Sequence, residues 1–163
     1  VVTVVTLEEV RAKAEPSVFP RHILDGCETG LVLFAAGFHG AQDAIWLAEA
    51  GIQATCLDTD GGKLDAMALA YPARWEFIVG DAFAYAERTQ RTWDVVTVDC
   101  PTRAFEKCAE YVGWWSQLAH HTVVLGSGPF TTIHPTKGWT ITEQIRRSDY
   151  KGGTFWTVIQ RAT

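Results

Sequence analysis

Residues 31–43 read LVLFAAGFHGAQD. Leu31 to Ala35 is continuously apolar and too short for a helix, which predicts a buried strand. Gly37 and Gly40 follow, and AQDAIWLAEAG then places Ala41, Ala44, Ile45 and Ala48 on one face at helical spacing, with Gly51 as the stop. Two glycines between a strand and a helix suit a ligand loop, where backbone amides approach an anion. The spacing here is G-x-x-G and not G-x-G-x-x-G, and a tight turn would need no more. What decides between the two is the rest of the chain.

The alternation repeats downstream. QATCLD, WEFIVGD, WDVVTVD and HTVVLG read as strands, and GGKLDAMALAY, AFAYAERTQ and AFEKCAEYVGWWSQLA as the helices between them. Parallel strands need crossover connections, so this order predicts an α/β fold with a mostly parallel sheet covered on both faces. The β-branched runs VVTV and TVVL fit central strands buried on both sides. At the end the pattern changes: GWTITEQIRRSD and GTFWTVIQRA alternate in the strand manner and are joined through Tyr150 to Gly153, which predicts a β-hairpin. Before the first strand, Thr6-Leu7-Glu8-Glu9 has capping-box spacing, with Val5 and Val10 placed as a hydrophobic staple, and Pro16 and Pro20 punctuate the segment between this helix start and the strand.

With 163 residues, about half of them apolar and a fifth charged, the chain reads as one domain able to bury its own core. Within it we expect a helical lead-in over 1–29, a ligand-binding core over 30–126, and a substrate-side loop with the hairpin over 127–163. A net charge of −5 gives no general drive towards nucleic acid or anionic membrane. Cys27, Cys56, Cys100 and Cys108 form no C-x-x-C pair or regular framework, so neither zinc nor a disulfide scaffold is expected. No apolar run approaches the length of a membrane span, and the reading is of a reduced, cytoplasmic protein.

In an open parallel sheet, ligands bind beyond the carboxyl ends of the strands, where the strand order reverses. Those ends here are AAGFHG, Leu57-Asp58-Thr59-Asp60, Val79-Gly80-Asp81-Ala82-Phe83 and Val98-Asp99-Cys100-Pro101-Thr102. Three successive strands each deliver an aspartate to one edge. Asp60, before GGKL, reads as a helix N-cap. Asp58 is placed to accept hydrogen bonds from both hydroxyls of a ribose. Asp81 suits an amino group of a purine or a cap of the next helix, and Asp99 a ligand or a loop turn, since Pro101 biases the turn towards extended backbone.

The ordered set VLFAAGFHG, CLDTD, VGDAF and WDVVTVDCPT, closed by RRSDYKGGTFWTVIQR, resembles the class I S-adenosylmethionine-dependent methyltransferases over residues 30–163. The resemblance implies a Rossmann-like three-layer sandwich: a seven-stranded sheet whose antiparallel last strand comes from the terminal hairpin. It implies S-adenosylmethionine as cofactor, with Ala36, Gly37, Phe38 and Gly40 around its methionine part and ribose. Asp58 would hold the ribose hydroxyls with Thr59 near the adenine, and Asp81, with Ala82 and Phe83, would hold the adenine. Asp99, Cys100, Pro101 and Thr102 would face the methyl group and acceptor, Asp99 and Pro101 being the candidate catalytic positions. The sequence departs from the family where the first strand usually ends in an acidic residue, here Phe34, and where the loop has glycines at alternate positions.

Other positions have competing readings. His39 suits a general base or a solvent-facing loop; His120 and His121, which precede a strand and are adjacent, should point to opposite faces and not share a metal. Trp114, Trp115, Phe130, His134 and Trp139 suit an aromatic acceptor surface or the core. SGPFTTIHPTKG is the expected substrate-facing loop, and Arg146, Arg147, Lys151 and Arg161 make the hairpin locally positive. The cysteines are expected to be buried and structural.

The leading expectation is methyl transfer to an acceptor that the sequence does not identify. The alternatives are a non-catalytic binding or assembly protein on the same fold and a nicotinamide-dependent oxidoreductase. The last is disfavoured because Phe38 stands where a pyrophosphate turn needs glycine.

Overall fold

A computed structural model describes residues 21–36, 38–70, 75–146 and 154–163, with backbone only at 38–41 and 70. The expected capping-box helix at Thr6–Glu9, Gly37 and the hairpin turn lie outside the described residues. The strands are β1 (Thr29–Leu33), β2 (Gln53–Asp58), β3 (Glu76–Val79), β4 (Trp93–Val98), β5 (Ala119–Ser127), β6 (Trp139–Arg146) and β7 (Phe155–Arg161). They form one seven-stranded sheet in the order β3-β2-β1-β4-β5-β7-β6. Strands β1 to β5 pair in parallel, while β7 inserts antiparallel between β5 and β6. The antiparallel strand from the terminal hairpin is thus present, and its hairpin partner β6 becomes the sheet edge.

Five α-helices cover the sheet among the described residues: α1 (Phe38–Glu49), α2 (Gly61–Ala70), α3 (Ala82–Arg88), α4 (Phe105–Glu110) and α5 (Val112–Leu118). Alternate strand residues face opposite ways, so the sheet has two cores. Val32, Cys56 and Val124 pack with Ala44 and Leu47 of α1 and Leu64 and Met67 of α2. Leu31, Leu33, Val96 and Leu125 face the other way, onto Tyr85, Phe105, Cys108 and Trp115 of α3, α4 and α5. The result is a three-layer α/β sandwich. Helix α1 lies directly on the β1 backbone: a Cβ on Gly30 would sit 2.9 Å from Leu47 Cδ1. Gly51, at φ 79°, ends α1 as the sequence predicts, with Ile52 N–H donating to Leu47 O and Gly51 N–H to Ala48 O.

Two register shifts change which face a side chain meets. The β4–β5 ladder slips between Trp93 and Val95, where β5 carries one extra residue, Trp93 pairing with Ala119 and Val95 with Thr122; Trp93 lies in the α3–α5 core and Val95 in the α1–α2 core. The same device between Ile141 and Glu143 sends Ile141 and Ile145 to opposite cores. Trp93 brings its indole N–H inside, where it donates to Thr55 Oγ1 at 3.0 Å.

The single helix expected over AFEKCAEYVGWWSQLA is instead a 3-10 turn at Thr102–Ala104 followed by α4 and α5, parted at Tyr111. Tyr111 leaves helical geometry at φ −87° and ψ 8°, its N–H is shared among preceding carbonyls, and its hydroxyl donates to Glu87 at 2.6 Å.

At the amino-terminal edge of the sheet, Asp94 Oδ2 accepts from the Glu28 and Thr29 amides at 2.8 and 3.1 Å. Oδ1 lies 3.2 Å from His120 Nδ1 and 3.8 Å from His121 Nε2. The expectation that the two imidazoles point apart is therefore corrected; they converge on one carboxylate in the stretch where the β4–β5 ladder is irregular. No metal-binding group of three or more ligands occurs among the described residues. Partial burial opposes ionisation of Asp94, but the two amides and His120 outweigh it and hold its pKa below the ordinary 3.8. A depressed carboxylate pKa gives stability that is complete above the free value and lost as pH falls through the folded one. Chemical denaturation should therefore show Asp94→Ala less stable than the wild type at neutral pH. That difference should shrink as pH drops below 3.8; a constant difference would mean that the charge contributes nothing.

Candidate functional site

Because β1 to β5 are parallel, their carboxyl ends share one edge, and the strand order reverses between β1 and β4. The chain leaves β1 through Phe34, the one described non-glycine residue with positive φ, at 59°. A left-handed phenylalanine is costly because its Cβ crowds the following carbonyl. Packing holds it there: its ring meets Phe83 edge-on at 5.9 Å, and the next amide, Ala35, donates to Leu57 O at 3.1 Å.

Asp58 then fixes the loop. Its Oδ2 accepts from the Ala36 amide at 3.0 Å, and its Oδ1 from the Asp60 amide at 3.1 Å and Thr59 Oγ1 at 3.4 Å. The half-buried carboxylate bridges the ends of β1 and β2. An ionised carboxylate has about four acceptor positions, so room for a ligand hydroxyl remains. Thr59 is exposed beside it. Asp60 caps α2 through the Lys63 amide at 3.1 Å, as its sequence context predicts.

The backbone of Phe38 and Gly40 lies inside the first turn of α1, which starts three residues earlier than the sequence suggests. These two positions therefore belong to a helix N-terminus and not to an open loop. On β3 and α3, Asp81 is exposed and caps α3, accepting from the Ala84 amide at 2.9 Å. Ala82 is buried. Phe83 is half-buried, and its ring contacts are made by the protein itself: Tyr111 at 4.7 Å, Trp115 at 5.7 Å and the Lys107 ammonium at 4.2 Å. This aromatic cluster, joining α3 to α4 and α5, escapes a reading of the sequence because its members are distant in the chain.

At the end of β4, Asp99 is only 6% exposed and Cys100 is buried. Pro101 is extended at φ −58° and ψ 149°, and its carbonyl accepts from Ala104 N–H at 2.8 Å to open the 3-10 turn. Cys27, Cys56 and Cys108 are chemically quiet. A hydrogen bond with Cys100, and burial, push the Cys108 thiol far up. Burial raises Cys56 to about 12, and burial with Asp94 and Asp25 raises Cys27 to about 11. Thiols so protonated are poor nucleophiles.

The aromatic residues divide. Trp115 and Trp139 are core, whereas Trp114 is partly exposed and Phe130 is 97% exposed. His134 is exposed on the same post-β5 segment as Phe130. Arg161 stacks on Trp139 at 4.8 Å and donates to His120 O at 2.9 Å, a structural role away from the ligand edge. No described helix is long and apolar enough to cross a membrane.

No protein-family model matches the sequence, and no curated protein matches it significantly. Solved structures do match the fold. A Haemophilus influenzae protein assigned as a methylase aligns over 84% of this chain and 88% of its own, with 13% identity and a TM-score of 0.63. A Klebsiella pneumoniae protein assigned as an O-methyltransferase covers 96% and 88%, with 13% identity and a TM-score of 0.63. The magnesium protoporphyrin IX methyltransferase of Synechocystis, solved with bound S-adenosylmethionine, covers 84% and 71%, with 16% identity and a TM-score of 0.58. The fold is that of the class I methyltransferases.

Substitutions at two positions test this edge. Phe34→Gly and Phe34→Ala both delete the ring, but only glycine relieves the left-handed backbone, so thermal unfolding should find Phe34→Gly more stable by about 1 kcal/mol. Asp58→Asn should weaken the bridge by about 1–3 kcal/mol and speed hydrogen exchange at the Ala36 and Asp60 amides. Unchanged exchange there would separate Asp58 from loop order.

Proposed function

We propose that the protein transfers a methyl group from S-adenosylmethionine to an acceptor bound beside the β4 end. The observation that supports this best is the Asp58 carboxylate, held at the end of β2 next to the β1 side of the reversal point with an acceptor position to spare and directly bonded to the Ala36 amide. In this reading Asp58 takes one ribose hydroxyl at its remaining acceptor position and the second where the long 3.4 Å contact from Thr59 Oγ1 gives way, and a 2′-phosphate there would be repelled. Thr59 lies by the adenine, and Asp81 offers its second oxygen to the adenine amino group while its first caps α3. Ala82 and Phe83 form the adjoining wall. Ala36, Gly37 and the α1 N-terminus at Phe38 and Gly40 surround the methionine part, without the acidic residue that would meet its amino group. The residues at these positions fit an uncharged ribose and a purine; they do not fit a pyrophosphate.

S-adenosylmethionine supplies an electrophilic methyl on a sulfonium. Displacement at that carbon needs in-line alignment and an acceptor lone pair more than acid–base groups, so proximity and a dry wall account for much of the rate. Asp99 and Pro101 would face the acceptor: the buried Asp99 by accepting a hydrogen bond, the Pro101 carbonyl by bounding the site where the chain is extended. A cytoplasmic place of action fits the four free thiols.

Calorimetry with S-adenosylmethionine, S-adenosylhomocysteine and NADH tests the reading. Saturable binding of the first two, lost in Asp58→Ala, is expected, together with transfer of labelled methyl to a component of peptide, nucleic-acid or metabolite pools. Binding without transfer would favour the non-catalytic alternative, and selective NADH binding would overturn both.

A further inference from the structure

Strands β5 and β6 are both antiparallel to β7 and hence parallel to each other, yet residues 128–138 connect them without a helix. This segment runs alongside α4 and α5. Gly128 packs against Phe105, and Thr136 lies beside Gly113. A turn in which Thr131 Oγ1 accepts from Gly128 N–H at 3.0 Å sets its start, and Ile133 packs into the core. Between this segment and α4 an open groove of about 390 Å³ remains, lined by Glu106, Ala109, Glu110, Val112, Phe130–Thr132 and His134. Its size falls in the range of roughly 300–1,000 Å³ typical of small-molecule sites.

The lining is chemically selective. Glu106 and Glu110 are four residues apart on α4 and share its outer face, and neither has an ion-pair partner among the described residues. Like charges at that spacing repel, a cost that an intervening cation reverses. The nearest cation on the helix, Lys107, is turned away onto Phe83 and Tyr111. Across the groove, Phe130 presents a ring that is 97% exposed, with no aromatic partner among the described residues. An exposed phenylalanine in the same groove as two carboxylates offers an apolar surface and a negative ring face together.

We propose that this groove binds an organic cation, an ammonium or guanidinium carried on an apolar body, with the charge at Glu106 and Glu110 and the body against Phe130. The groove is bounded by the segments that follow β4 and β5, so its occupant is the anchoring end of the methyl acceptor, an assignment that rests on the methyl-transfer reading. The cation itself is not the methylated atom, because a protonated amine has no lone pair to attack with. It fixes one end of the acceptor while the reacting atom reaches towards Asp99 and Pro101.

Nuclear magnetic resonance titration with phenethylammonium, its shape-matched anion 3-phenylpropanoate, and neutral 2-phenylethanol tests the groove without cofactor. Saturable shifts confined to 106–112 and 130–134 are expected with the cation, at about tenfold higher affinity than with the anion. The double variant Glu106→Gln/Glu110→Gln should lose that preference, and Phe130→Ala should weaken all three probes, each with an unchanged melting curve. Equal binding of cation and anion, or shifts elsewhere, would overturn the proposal. Cation binding by a protein that transfers no methyl group would uphold the groove and sink the enzyme reading. Methyl transfer with an acceptor KM indifferent to both glutamates would do the reverse.

Discussion

Strand β1 has parallel partners on both sides, β2 and β4, and the rest of the architecture depends on that placement. A crossover from β1 to β2 and one from β3 to β4 must leave the sheet on opposite faces if both are right-handed. Hence α1 and α2 lie on one side and α3 to α5 on the other, and the chain parts above β1 and β4. Asp58 closes one wall of the gap and Asp99 stands at the other. The groups that converge there come from the ends of separate strands, so sheet pairing, more than any loop sequence, sets the geometry of the edge.

The fold is largely legible in the sequence because its signals are local. Buried parallel strands read as short apolar runs, Gly51 marks a helix end, and Asp60 and Asp81 stand at N-caps. What escapes depends on distant partners. The left-handed Phe34 is stabilised by Phe83, and nothing near position 34 announces it. At the break, Tyr111 bonds Glu87 of another helix, a partner distant in the chain. Strict strand alternation would part His120 from His121, and the shifted register of β4 and β5 removes that alternation.

For the site, the sequence locates the strand-end aspartates but not how each side chain is used. Asp81 as cap and as adenine partner are compatible, since a carboxylate has two oxygens. Phe83 is different: its ring is already engaged by Tyr111, Trp115 and Lys107. A substrate-facing loop after β5 is expected from its place on the ligand edge, but the groove between it and α4 depends on which residues the fold brings together, a three-dimensional fact.

The aromatic contacts give the molecule a rigid transverse strut. From Phe34 at the tip of β1, ring meets ring through Phe83 to Tyr111, where α4 gives way to α5. At one end stands a backbone in a narrow left-handed energy well, which resists small rotations. At the other stands a joint whose hydroxyl is tethered to Glu87. A tilt of α4 cannot be absorbed by soft side chains along this line; it must either break an edge-to-face contact or move the first turn of the sheet. The end of β1, α3 and the joint between α4 and α5 are thus linked through one continuous line of rings.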